Sequence, residues 1–104
     1  MTLPNGYELK TTFWEDFSIA EKFGVLAIKD TFARVYKEWK DNIEYATELS
    51  IVMNLKCCEY YEKHNEKLSQ LYEKYYYDMD TYILDSKKYS DKDKAYYFSL
   101  VNLC

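Results

Sequence analysis

From Ala46 to Tyr82 the chain carries one unbroken stripe: Ala46, Leu49, Met53, Cys57, Tyr60, His64, Leu68, Leu71, Tyr75, Met79 and Tyr82, separated by 3, 4, 4, 3, 4, 4, 3, 4, 4 and 3 residues. That eleven-residue repeat, about 3.67 residues per turn, follows one face of a nearly untwisted α-helix, and no strand pattern generates it. Turn formers are scarce as well. The chain holds 2 glycines and 1 proline, and beyond Pro4, Asn5, Gly6 and Gly24 it has almost none of the dipeptides that reverse a sheet. An all-α fold follows. A continuous stripe would extend roughly 55 Å at about 1.5 Å per residue and would need a partner along its length. Asn65 can cap a new helix, which makes His64-Asn65 the natural break. The pattern leaves open one long helix or two.

The flanking segments set further boundaries. Residues 1–11 read as an irregular arm. Thr12 and Glu15 form a capping box ahead of Phe13, Phe17 and Ala20, and Phe23-Gly24 offers a glycine stop. Val25, Ile28, Phe32, Val35 or Tyr36, and Trp39 recur at helical spacing, with Asp41 and Glu44 as a second capping pair. Ser90 and Asp93 repeat the box before a short terminal helix containing Ala95, Tyr96, Phe98, Ser99 and Leu100. The expectation is one domain over residues 1–104, a small helical bundle or elongated hairpin of four to five helices. Its expected core is Phe13, Phe17, Ala20, Ile28, Phe32, Val35, Trp39, Leu49, Met53, Leu68, Leu71 and Tyr75.

Charge is uneven. The formal net charge of -4 conceals a balanced segment 1–40 and a segment 41–85 with ten carboxylates against four lysines. That middle segment should repel phosphate backbones, which argues against non-specific nucleic-acid binding, and it suits a basic protein partner. Cys57, Cys58 and Cys104 supply no disulfide framework, since adjacent helical cysteines point about 100° apart. With no signal peptide and no apolar run long enough for a bilayer, the expected location is cytoplasmic, without membrane insertion.

Two motifs suggest chemistry. Ile19-Ala20-Glu21-Lys22-Phe23-Gly24-Val25 matches the first half of a helix-turn-helix, but Asp30 stands where an aliphatic residue should lock the second helix. Asp30 and Glu38 also interrupt the basic set Lys29, Arg34 and Lys37. His64, Glu62, Glu66 and Cys57 offer metal-binding atom types, yet without the repeated Glu-x-x-His signature of helical di-metal sites. No catalytic, cofactor or metal set is expected.

The 13 tyrosines are the remaining clue. Tyr72, Tyr75, Tyr76 and Tyr77 surround a helix, so they cannot all enter one core. Tyr72, Tyr76 and Tyr77 with Glu73, Asp78 and Asp80 make a candidate protein interface, since tyrosine joins a large apolar body to a polar tip. The leading expectation is a non-catalytic module that binds a basic protein. Alternatives are a small-molecule binder or enzyme with an interhelical pocket, where Glu62 or Glu66 converge around His64, and a structural assembly component. Surplus apolar surface along the stripe also raises the expectation of a homodimer.

The segments FWEDFSIAEKFG, AIKDTFARVYKEWK and YEKHNEKLSQLYEKYYYD resemble small all-helical proteins of unknown function carried by phages and mobile elements of gut Firmicutes. The resemblance implies an accessory role for a mobile element, such as interference with a host or rival system. It transfers no functional residues.

Overall fold

A computed structural model describes residues 1–101. Five helices follow in order: α1 (Phe13–Phe23), α2 (Val25–Trp39), α3 (Ile43–Glu62), α4 (Glu66–Asp85) and α5 (Asp91–Val101). The fold is all-α, and the described residues contain only one isolated antiparallel bridge, Thr2 with Glu8. The long stripe breaks where Asn65 permits. His64 takes φ 59°, reversing the chain, and the Asn65 side chain accepts from the Leu68 N–H at 3.2 Å to start α4. The two halves fold back on each other as a helical hairpin. A single straight helix would in any case exceed the 37 × 28 × 22 Å extents of the molecule.

The other boundaries lie close to their sequence signals, with differences in the atoms that make them. Gly24 ends α1 at φ 111°, ψ -177°, an extended positive-φ turn rather than the usual left-handed cap. Its N–H still donates to the Ala20 carbonyl at 3.1 Å. The Thr12–Glu15 box does not form: the Thr12 hydroxyl donates to Asp16 at 3.1 Å instead. Neither Asp41 nor Glu44 caps α3; the neighbouring Asn42 accepts from the Tyr45 N–H at 3.2 Å, while the Asp41 carboxylate accepts from the Tyr82 hydroxyl. At α5 the expected reciprocal box is present, with Asp93 N–H donating to Ser90 Oγ at 3.2 Å and Ser90 N–H to Asp93 at 3.4 Å.

Helix α3 is the axis of the molecule. It packs against each of the other four helices, so every residue from Ala46 to Met53 is buried, not only the stripe. Phe13, Phe17, Ala20, Ile28, Phe32, Val35, Leu49, Met53 and Tyr75 form the core as expected, joined by Leu3, Leu9, Ile51, Val52, Tyr72, Ile83, Tyr89 and Tyr97. Trp39, Leu68 and Leu71 are only partly buried, contrary to expectation. Trp39 sits at the last position of α2 and packs against the Tyr45 ring, 4.4 Å between centroids. Leu68 lies in the first turn of α4, and Leu71 lies on the flank of its buried face.

The non-helical arm is tied down by the fully buried Glu48. Its carboxylate accepts from the Lys10 N–H at 3.0 Å, the Thr11 N–H at 3.0 Å, the Thr11 hydroxyl at 2.9 Å and the Tyr7 hydroxyl at 2.9 Å. A buried charge persists when its lone pairs are satisfied in this way. The anchor seats Leu3 and Leu9 in the core. Among the described residues, no helix is long and apolar enough to cross a membrane.

Candidate interaction surface

Helix α4 owes its position to its inner face, where Ser69, Tyr72, Tyr75, Met79 and Ile83 are buried. At about 100° per residue, the opposite side carries Glu66, Gln70, Glu73 and Tyr77, spaced 4, 3 and 4 and all exposed. Asp80 and Leu84, half-buried, continue the line. The two lysines of α4, Lys67 and Lys74, lie roughly 100° around the helix from it. Glu62, Glu66 and Glu73 are exposed and make no ion pair among the described residues. Beside them the ring of Tyr61, at the end of α3, is 75% exposed.

The six residues singled out from sequence therefore part company. Glu73 and Tyr77 lie on the outer line, with Tyr77 58% exposed. Tyr76 is half-buried and touches the Tyr77 ring at 5.6 Å between centroids. Asp80 is half-buried and accepts from the Tyr97 hydroxyl at 2.7 Å, which docks α5 beside the line. Asp78 turns toward the α2 side and pairs with Lys74 at 3.1 Å. Tyr72 does not belong to the surface at all. It is fully buried, stacks on Tyr60 and donates to Glu21 at 2.6 Å. Glu66, Gln70 and Tyr61 were missing from that set. The signal for Glu66 was present, because Glu66, Glu73 and Asp80 recur every seven residues opposite the apolar stripe.

At the α3–α4 reversal the surface dips into an open depression of about 470 Å³ lined by Tyr61, His64, Asn65, Glu66, Ser69, Gln70 and Glu73. This is the place where the sequence suggested converging groups around His64. Glu66 lines it and Glu62 does not. Cys57 is half-buried, 3.7 Å from Ser69 Oγ, and burial pushes its thiol up from the usual value. Among the described residues no group of three or more His, Cys, Asp or Glu side chains is placed to hold a metal ion. Cys57 is a free thiol, and the expectation for Cys104 lies outside the described residues. On α2, Lys29, Asp30 and Arg34 are all exposed, so Asp30 does not lock α2 onto α1 as a helix-turn-helix would require.

The inner polar groups hold the scaffold behind this face. Lys56, 2% exposed, donates to Ser18 at 2.8 Å, pairs with Glu21 at 3.3 Å and lies 4.0 Å from the centre of the Trp14 ring. Burial, and then the hydrogen bond to Glu21, keep the Tyr72 and Tyr60 hydroxyls protonated far above the ordinary tyrosine range. Glu21 thereby ties α1 to both arms of the hairpin. The chain matches no protein-family model, and the curated proteins and solved structures give no match to it either.

Proposed function

We propose that this protein is a non-catalytic binding module whose α4 outer face takes a basic protein partner. The observation that supports it most is the set of exposed carboxylates Glu62, Glu66 and Glu73, without internal cations, beside the exposed rings of Tyr61 and Tyr77. Carboxylates of this kind speed encounter with a basic surface, and tyrosine rings that become buried on contact supply affinity. The accessory role implied by the resemblance to mobile-element proteins agrees with a module that acts by occupying another protein.

The test is affinity capture from the native host with the wild type and with a Glu66→Lys, Glu73→Lys, Tyr77→Ala variant. All three positions are exposed, so helical content by circular dichroism should be unchanged. Loss of a specifically captured basic protein is expected. Retention of every specific partner at unchanged affinity rejects the face. The depression at the α3–α4 reversal favours a second reading, a small-molecule site. Its test is a thermal-shift screen in which a ligand's stabilisation disappears on Gln70→Ala.

A further inference from the structure

We infer that the segment of the partner recognised here is an α-helix carrying lysine or arginine side chains seven residues apart. The inference rests on the proposed basic partner and gives it a shape. Glu66, Glu73 and Asp80 are spaced by seven, so on α4 they stand in one row with about 10 Å between successive carboxylates. Gln70, Tyr77 and Leu84 fall between them, giving the alternation of 4 and 3 residues along which a second helix packs at a shallow angle.

An extended basic segment would place successive same-side residues about 6–7 Å apart and would fall out of step with this row. A helix with cations every second turn stays in step over its whole length. Between the cations, its small or apolar residues would cover the Tyr77 ring, and the depression beside Glu66 and Tyr61 would receive the first basic side chain. No lysine of α4 interrupts the row, so the complementarity is of one sign. A second exposed apolar group, Ile19, Phe23 and Leu26 at the α1–α2 corner, is flanked in sequence by Lys22, Lys29 and Asp30. Its mixed charge selects no occupant.

Two alanine-rich helical peptides of identical composition test the inference, one with three lysines spaced by seven and one with three lysines spaced by five. Only the first presents its charges on a single face. At low salt the protein should bind the seven-spaced peptide about fivefold more tightly, as two rim ion pairs, to Glu66 and Glu73, acting together would give. That preference should vanish in Glu73→Gln and fade as salt rises. Equal affinity for the two peptides overturns the helical register while leaving a basic partner in place. A preference that survives Glu73→Gln overturns the assigned face. Failure of both peptides to bind at low salt rejects the register and the basic-partner reading together.

Discussion

At the scale of single residues, the strongest commitments are buried polar groups. Glu48 answers donors from three arm residues, and removing its carboxylate leaves the Lys10 and Thr11 amides without their acceptor. Glu48→Ala should therefore cost about 3–5 kcal/mol, and Glu48→Gln clearly less, since one carbonyl oxygen remains to accept. Urea unfolding measures both; a loss below about 1 kcal/mol for the alanine variant would show that the arm is not held there. Tyrosine ionisation sets the alkaline limit. Burial raises Tyr7, Tyr60, Tyr72, Tyr75, Tyr89 and Tyr97 above the ordinary value, and the hydrogen bond to Asp41 pushes Tyr82 up to about 12. Above a pH of about 10 the unfolded chain releases these protons while the folded chain keeps them, so stability falls as pH rises. The contribution is complete below that pH and declines as pH rises above it, through about 12 for Tyr82. Melting temperature against pH, followed with phenolate absorbance, should show ionisation of the buried set together with unfolding. Phenolate formation by all of them in a still-folded protein would contradict the burial.

At the scale of elements, the boundaries depend on a few residues with special backbone geometry. Gly24 separates α1 from α2 at φ 111°, ψ -177°, a region that residues with a Cβ rarely enter. An added Cβ would meet no atom within 4 Å, so Gly24→Ala tests backbone strain free of collision. The expected loss is about 1–3 kcal/mol. An unchanged midpoint in urea would mean that the α1–α2 junction relaxes without cost. The adjoining helices illustrate how capping residues are chosen. Asn42 and Asn65 both accept from an N–H three residues on, whereas Thr12 spends its hydroxyl on Asp16. Several side chains near each start can cap, and the one that does depends on where the incoming chain points.

At the scale of the whole molecule, the apolar stripe that suggested a side-by-side dimer is covered by its own fold-back. Helices α3 and α4 pack along their lengths, and α1, α2 and α5 close around α3. The Cα radius of gyration, 13.1 Å, is that of a well-packed chain of this length, about 13 Å. Sedimentation at micromolar concentration should accordingly return the mass of a single chain. A dimer there would direct attention to Ile19, Phe23 and Leu26, and alanine at Phe23 and Leu26 should then dissolve it.

Local information determined the helical class and the α5 capping box, and marked His64-Asn65 and Gly24 as places where a helix could stop, because each depends on residues within a few positions of one another. Nine of the core side chains were legible for the same reason: a helix buries residues at its own period. The surroundings of α3 were not legible. A periodic stripe marks one buried face, but four helices and an arm cover the Ala46–Met53 stretch of α3 on every side, and Glu48, Ser50 and Lys56 meet partners 35 to 47 positions away. The fate of the tyrosines was decided at the same level. Tyr72 and Tyr77 have similar neighbours in sequence, yet one closes on Glu21 of α1 and the other faces outward. Spacing fixes the angle between two side chains on a helix; which of those angles points at another helix is set by the packing of the whole chain.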